Sequence, residues 1–133
     1  MTYDMKLRFL WRLWDNPSTS VEEVERLIAN GSIEPNDMIL WAVQHGAEDM
    51  VGMLLEKGAN PNKRGHHDEV PALFRAIEFY SYGYPMGTII NLLLKAGANP
   101  HSFMEWYDGE YYYHGTIAVV VYQALGINIL KAA

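Results

Sequence analysis

The chain contains no cysteine among its 133 residues. That absence excludes disulfide frameworks, thiol nucleophiles and thiolate metal sites, and it is typical of proteins from reducing compartments. No stretch approaches the roughly 20 consecutive apolar residues that a membrane-spanning helix requires. Charged side chains interrupt the stretch from Met1 to Trp14, which therefore lacks the apolar region of a signal peptide. We expect a soluble protein, cytoplasmic or otherwise intracellular, with no membrane association.

Positive charge is also scarce, because ten Lys and Arg stand against sixteen Asp and Glu and leave a net charge of −6. This balance disfavours direct binding to nucleic acid or anionic lipid, and it favours a partner with a basic surface. Half of the residues are hydrophobic and a fifth are charged. That composition is globular, and a chain of this length is expected to form a single domain over residues 1–133.

Sequence motifs for catalysis are missing. The chain has no phosphate-binding loop, no nucleophile elbow and no paired-histidine zinc motif. The segment 66–69 (HHDE) contains potential metal ligands, but adjacent side chains point in different directions and no second cluster supports them. We interpret it as a solvated turn. The sequence therefore predicts no enzymatic activity, no cofactor and no metal.

Two nearly identical segments dominate the chain: residues 53–62 (MLLEKGANPN) and residues 92–101 (LLLKAGANPH). A degenerate third copy lies at residues 26–31 (RLIANG). Each copy ends an apolar helical pattern with a glycine, which can adopt the left-handed conformation that closes a helix. These glycines are Gly31, Gly58 and Gly97. Their spacings of 27 and 39 residues average 33, the period of one known repeat family.

Residues 42–62 resemble the ankyrin repeat, whose pattern T-P-L-H-x-A-A-x-x-G-H-x-x-I-V-x-L-L-L-x-x-G-A-D-V-N they follow without a gap. The matching positions are Ala42, Gly46, Val51, Leu54, Leu55, Gly58, Ala59 and Asn62. Asp37 takes the place of the usual threonine and is predicted to cap the following helix. Residues 71–76 and 89–99 are similar to the same pattern, with about five extra residues between its two helices.

The resemblance implies an all-α fold, an ankyrin-type α-solenoid of about four helix pairs with short β-hairpins. The expected units are about 1–36, 37–69, 70–101 and 102–133. The expected helices are 4–14, 20–30, 37–45, 48–57, 71–81, 87–96 and 116–125. Stacking of neighbouring pairs must create the core, because one pair cannot bury its apolar face alone. The predicted core residues are Val51, Leu54, Leu55, Ile90, Leu93 and Leu94.

The first unit lacks the ankyrin letters but still indicates a helical pair. An apolar pattern with helical spacing joins Leu7, Leu10, Trp11 and Trp14. The segment 20–23 (SVEE) then forms a capping box before the second helix.

An insertion interrupts the fourth unit, where the connection from Gly97 to Thr116 is about seven residues longer than the family pattern. It reads as two β-rich arms around Asp108–Gly109, a strong turn signal, and predicts an elongated hairpin near residues 102–114. Alternation places Trp106, Tyr111 and Tyr113 on different faces from Tyr107 and Tyr112, with the register left open.

These five hairpin aromatics have two interpretations. As exposed side chains they would be the main partner-binding anchors, since Tyr and Trp supply rigid contact area with a polar group and are enriched in binding hot spots. As packed side chains they would instead form a lid over a truncated fourth unit. The predicted anchors are Trp106, Tyr107, Tyr111, Tyr112 and Tyr113.

Three further aromatics are candidates for the binding surface. Tyr82 and Tyr84 lie in the lengthened turn between the two helices of the third unit, where they either anchor a partner or cover helix ends. In the ankyrin family this turn lies at the opposite end of the repeat from the hairpins. Trp41 matches a first-helix position near the concave side of ankyrin stacks and is either part of that surface or buried beneath it.

The resemblance therefore implies a protein–protein interaction module, a small stand-alone binder that acts as an inhibitor or adaptor by occupying a partner protein's surface. A monomer is the default oligomeric state. One alternative is an acidic mimic of nucleic acid that binds a nucleic-acid-handling protein, which a clustered negative face would favour. Another is an enzyme with a site on the concave face, which a deep pocket with converging titratable residues would favour.

Overall fold

The computed structural model describes residues 3–16, 18–65 and 70–130. Seven α-helices and one two-stranded antiparallel sheet form this part of the chain. The helices are α1 (Tyr3–Asp15), α2 (Val21–Ala29), α3 (Ile39–Gln44), α4 (Glu48–Glu56), α5 (Ala72–Ser81), α6 (Gly87–Lys95) and α7 (Ile117–Leu125). The strands are β1 (Phe103–Tyr107) and β2 (Tyr112–Thr116). The predicted turn at 66–69 lies outside the described residues. No described helix is long and apolar enough to cross a membrane.

The helices are arranged in two rows that fit an ankyrin-like fold. In the inner row, α3 contacts α5 and α5 contacts α7; in the outer row, α2 contacts α4 and α4 contacts α6. The rows are joined where α3 packs on α4 and α5 on α6. The last helix, α7, packs on α5 and on both strands, and from Gly126 to Leu130 the chain continues without a further helix.

The predicted core residues divide into two groups. Val51, Leu54 and Leu93 are completely buried between the rows. Leu55, Ile90 and Leu94 are only partly buried and pack at the edge of the core. An outer helix has helices on one side and solvent on the other, so a run of three leucines cannot be buried throughout.

Helix boundaries follow local chemistry. The Ser20 hydroxyl accepts a hydrogen bond from the Glu23 backbone N–H at 3.2 Å and caps α2, which is one of the two bonds of the predicted capping box. Gly58 and Gly97 have φ angles of 98° and 105° after α4 and α6, which confirms the predicted left-handed helix stops. The Thr116 hydroxyl caps α7 by accepting from the Val119 N–H at 3.2 Å.

The predicted role of Asp37 as the cap of α3 is wrong. Pro35 begins a short 3-10 helix, Pro35–Asp37, and α3 starts only at Ile39. The Asp37 carboxylate accepts instead from the Glu34 N–H at 2.8 Å, and it also pairs with Lys6 at 3.0 Å. Proline fixes φ near the helical value and is favoured at the first helical position. The 3-10 helix therefore begins at Pro35, and Asp37 lies inside it instead of capping α3.

The helical pattern predicted for α1 is shifted in the structure. Leu10 and Leu13 are buried and Trp14 is partly buried, but Trp11 is 58% exposed. Trp11 meets only the edge of Trp14, with ring centroids 5.7 Å apart. The side chain of Leu7 lies outside the description. A tryptophan at helical spacing therefore does not prove burial, because a helix at the end of a stack has one side open.

Asparagine side chains connect the turns of neighbouring units. The Asn36 side chain accepts from the Asn60 N–H at 2.6 Å, and the Asn62 side chain accepts from the Asn99 N–H at 2.8 Å. These bonds satisfy backbone donors in the connections after α4 and α6, where no helix supplies a partner. They fix the spacing of the connections from which the hairpin projects.

Candidate functional site

The elongated hairpin is present and has two distinct faces. Strands β1 and β2 pair in antiparallel register, with Trp106 opposite Tyr113 and Tyr107 opposite Tyr112. Directly opposed residues share a face of the sheet, and successive residues alternate between faces. The inner face comprises Met104, Trp106, Tyr113 and Gly115. The outer face comprises Phe103, Glu105, Tyr107, Tyr112, His114 and Thr116.

The inner face packs on the scaffold. Met104 is buried, and the Trp106 ring lies 5.0 Å from the ring of Phe74 on α5. Tyr113 stacks on Trp106 from the neighbouring strand, with ring centroids 6.0 Å apart. Trp106 and Tyr113 are both partly buried against the core. They correspond to the packing interpretation of the hairpin aromatics.

The outer face exposes its aromatic rings. Tyr107 and Tyr112 are 60% and 59% exposed, side by side across the two strands. The Tyr112 hydroxyl donates a hydrogen bond to the Glu105 carboxylate at 2.7 Å. This bond favours the protonated phenol and raises the pKa of Tyr112 above its usual value. The two rings form an accessible aromatic surface beside an acidic group.

The turn of the hairpin is longer than the predicted Asp108–Gly109 pair. It comprises four residues, 108–111, because the strands end at Tyr107 and resume at Tyr112. The Asp108 carboxylate accepts from the backbone N–H groups of Tyr111 at 2.7 Å and Glu110 at 2.8 Å. These two bonds hold the pKa of Asp108 below its usual value. Tyr111 therefore lies in the turn rather than on a strand, and its ring is exposed.

A polar network joins three side chains on and just after α5. Arg75 donates to the Glu78 carboxylate at 2.6 Å, and the Tyr82 hydroxyl donates to the same group at 3.1 Å. Glu78 is only 6% exposed, and these partners satisfy its charge. Burial and the Glu78 carboxylate raise the pKa of Tyr82, and the negative charge of Asp108 adds to the rise.

Sequence reasoning missed the role of Glu78. Arg75, Glu78 and Tyr82 are spaced three and four residues apart, which places them on one side of a helix. That spacing was the available signal.

Among the described residues, no group of three or more His, Cys, Asp or Glu side chains could hold a metal ion.

The remaining predicted site residues lie apart from the hairpin. Tyr84 is exposed in the connection after α5 and meets Phe79 edge to face, with centroids 6.0 Å apart. Trp41 is 9% exposed; its indole N–H donates to the Trp14 carbonyl at 2.6 Å, and its ring stacks on His45 at 4.5 Å. Burial therefore describes Trp41 better than membership of an open surface.

An open cleft separates the hairpin from the start of α5. Its volume is about 430 Å³. The lining residues are Val70, Arg75, Glu105, Trp106, Tyr107 and Tyr112. It brings two of the exposed hairpin aromatics together with the cationic end of the α5 network, an association that the one-dimensional repeat pattern did not predict.

Several exposed apolar side chains were not predicted as site residues. They are Met5, Trp11, Tyr80, Phe103, Val119, Tyr122 and Leu130. Phe103 shares the outer face with Tyr107 and could have been found from strand alternation alone. Val119 and Tyr122 lie three residues apart on α7 and therefore share one side of that helix.

Comparison with known proteins gives one result for a central part of the chain. Residues 38–66 match the family model described as Ankyrin repeat. The matched segment contains α3, α4 and the beginning of the following connection. No curated protein and no solved structure matches the chain significantly.

Proposed function

Because this chain is an ankyrin-repeat protein, and such repeats generally mediate protein–protein interaction, we propose that it is a binding module that occupies the surface of another protein. By occupying the partner's surface, it acts as an inhibitor or as an adaptor. The architecture proposed with this function is an ankyrin-type α-solenoid in a single domain over residues 1–133. Its proposed units are about 1–36, 37–69, 70–101 and 102–133.

The observation that carries the proposal is the exposed outer side of the hairpin. Tyr107, Tyr111 and Tyr112 each expose about three fifths of their surface, although burial would stabilise rings of this size. A scaffold that needs the hairpin only as a lid requires Trp106 and Tyr113, which already pack on it. Contiguous exposed aromatic surface of this kind marks interaction sites.

The proposed anchors therefore have different roles. Tyr107, Tyr111 and Tyr112 contact the partner directly, while Trp106 and Tyr113 hold the hairpin in position behind them. Tyr82 and Tyr84 are proposed as a second contact, in the exposed connection after α5 and apart from the hairpin. Trp41 is buried, bonds to the Trp14 carbonyl at the end of α1, and is left out of the proposed surface.

The chemistry of the surface favours a basic partner. Residues 103–116 contain three carboxylates, Glu105, Asp108 and Glu110, and no Lys or Arg. An acidic surface steers and orients a cationic partner, and it repels nucleic acid. The protein is expected to act as a monomer and within the cell, where a chain without cysteine needs no oxidising compartment.

Two structural observations argue against the alternative functions, the acidic mimic and the concave-face enzyme. The acidic mimic requires a continuous negative face, whereas the acidic residues of α2 and α4 are interspersed with Arg26 and Lys57, and Lys57 lies 3.9 Å from Glu25. A concave-face enzyme requires titratable groups that are accessible to a substrate, whereas Glu78 is buried by Arg75 and Tyr82. Both observations favour the binding module.

Matched capture experiments test the proposal. The wild-type protein and a double variant, Tyr107→Ala with Tyr112→Ala, are used as baits in lysate of the native host. The control bait carries Trp11→Ala with Tyr122→Ala, which removes two rings that are equally exposed but outside the surface. We expect a basic protein to be retained by the wild type and the control and lost from the hairpin variant. Equal retention by all three baits would contradict the proposal.

A further inference from the structure

Backbone groups along β1 point alternately toward β2 and away from it. The Ile117 N–H donates to the Ser102 carbonyl and the Asp108 N–H to the Tyr111 carbonyl, so the even-numbered residues of β1 form the hydrogen-bonded pairs. The N–H and C=O groups of Glu105 and Tyr107 therefore point to the free edge. Phe103 follows the same parity, because its carbonyl accepts from the Arg64 guanidinium at 2.6 Å at that edge.

The free edge of β1 borders the cleft beside α5. Glu105, Trp106 and Tyr107 form one side of the cleft, and Val70 and Arg75 form the other. Beyond Phe103, the outward backbone groups of Glu105 and Tyr107 meet no donor or acceptor among the residues that the structure describes. An edge of this kind is a template for an added strand, which would satisfy both sets of groups.

The two walls of the cleft differ in chemistry. An added strand alternates its side chains between the inner and outer faces of the sheet. On the inner side they would meet Trp106 and Val70, which are apolar. Arg75, beside Val70, is held by the Glu78 carboxylate at 2.6 Å. On the outer side they would meet Glu105 and the exposed rings of Tyr107 and Tyr112, which suit a cation. The complementary segment alternates apolar residues with Lys or Arg.

We propose that the free edge of β1 binds an extended, lysine- or arginine-bearing segment of the partner protein as a third strand of the hairpin sheet. This inference rests on the proposed function, because it specifies how the same hairpin engages its partner. Main-chain hydrogen bonds supply affinity, and the two walls supply specificity. A second copy of this chain is the less suitable occupant, because its β1 would bring a second Glu105 close to the first and like charges repel.

A synthetic peptide provides the first test. The probe is a capped hexapeptide that alternates lysine and valine, titrated into the full chain by nuclear magnetic resonance. We expect the backbone amides of Glu105 and Tyr107 to shift and to gain protection from hydrogen exchange. The same hexapeptide with glutamate in place of lysine should bind at least ten-fold more weakly. No binding up to about 1 mM, or shifts confined to residues outside the hairpin, would overturn the inference.

Methylation of selected peptide amides distinguishes strand addition from charge attraction. In the added strand, the residue opposite Glu105 points its side chain to the outer face and its backbone N–H and C=O groups toward β1. Lysine occupies these positions of the bound hexapeptide, so the lysine amides face β1 and the valine amides face away. N-methylation of the lysine amides should weaken binding at least ten-fold, and N-methylation of the valine amides less than three-fold. Equal effects would overturn strand addition.

Two proline variants provide the matched test in the protein. Glu105 and His114 lie opposite each other, and both point their N–H groups outward, on opposite edges of the hairpin. Proline is tolerated at such edge positions and removes the N–H. Glu105→Pro should weaken the lysine–valine peptide at least ten-fold and His114→Pro less than two-fold, with both variants melting alike. Glu105→Gln, which keeps the N–H, isolates the contribution of charge and should weaken binding about three-fold.

The outcomes separate this inference from the function on which it rests. If the captured partner requires Tyr107 and Tyr112 but binds Glu105→Pro normally, the binding module stands and strand addition is wrong. If the partner ignores the tyrosine variants as well, the hairpin is not the binding surface. If sedimentation shows a dimer that Glu105→Pro abolishes, the occupant of the edge is a second copy, which contradicts the proposed partner.

Discussion

The segment 38–66 and the hairpin of residues 103–116 use apolar side chains in opposite ways. In the first, Met38, Val43 and Leu54 are completely buried, and their spacing follows the repeat. In the second, Tyr107 and Tyr112 stay exposed although the chain pairs regularly around them. The difference teaches that the repeat accounts for the packing of the segment that it matches, while the hairpin provides surface beyond what stacking of helices needs.

The connections that follow α4 and α6 also differ, in length and in the number of paired residues. Within the described residues, the connection after α4 is closed by a single bridge between Arg64 and Pro71. The connection after α6 forms five opposed pairs, Phe103 to Tyr107 against Tyr112 to Thr116. Extra length gives the second hairpin one face for packing and another that is accessible, which a short turn cannot provide.

The largest expected effect belongs to the scaffold. Leu54→Ala and Leu93→Ala each remove a completely buried side chain from between the rows of helices and should lower the free energy of unfolding by about 2 to 5 kcal/mol. Leu55→Ala, at a partly buried position, should cost less. Urea denaturation measures all three. Equal losses at Leu54 and Leu55 would contradict the two-row packing.

The α5 network comes next, and its disruption shows whether it belongs to the scaffold or to the surface. Arg75→Met leaves the buried Glu78 carboxylate with Tyr82 as its remaining partner among the described residues, and it should cost about 2 to 3 kcal/mol. Adding Glu78→Leu should restore most of that loss, because no buried charge is then left. Thermal denaturation of the single and double variants measures the difference, and a double variant as unstable as Arg75→Met would contradict this assignment.

The two faces of the hairpin should respond differently to truncation. Trp106→Ala removes a partly buried ring from Phe74 and should lower stability by about 2 kcal/mol, roughly half the cost at a completely buried site. Tyr107→Ala, one residue away on the outer face, should leave the melting temperature within about one degree of the parent. Thermal melts followed by circular dichroism test the pair. Similar destabilisation by both variants would make the outer face part of the core.

The smallest expected effect is a pH dependence of the turn. Two backbone N–H groups hold the pKa of Asp108 below its usual value, so its stabilising contribution is complete above that value and is lost as the pH falls through the lowered pKa, below about 4. Asp108→Asn keeps an oxygen acceptor but does not titrate. The indole N–H resonance of Trp106, followed by nuclear magnetic resonance in parent and variant from pH 6 to pH 2, should show the acid loss only in the parent. An identical acid transition would contradict the role of the carboxylate.

Sequence reasoning predicted the helices well because local patterns determine them. Gly58 and Gly97 stop two of them, and the apolar spacing places Leu54 and Leu93 in the core. The strand register was not predictable, because alternation alone fits more than one pairing until the turn length is known. Burial of Trp41 was also left open, since it depends on the bond to the Trp14 carbonyl, a contact between distant parts of the chain.

The most direct test of the binding surface is a titration of the captured partner against five single alanine variants, each paired with a thermal melt. The variants are Trp106→Ala, Tyr107→Ala, Tyr111→Ala, Tyr112→Ala and Tyr113→Ala. We predict that truncating at least one of the three exposed tyrosines, Tyr107, Tyr111 or Tyr112, weakens binding of the partner about 30-fold. The melting temperature of that variant should be unchanged. Trp106 and Tyr113 should instead lower the melting temperature. Unchanged affinity across all five variants would contradict the hairpin as the binding site.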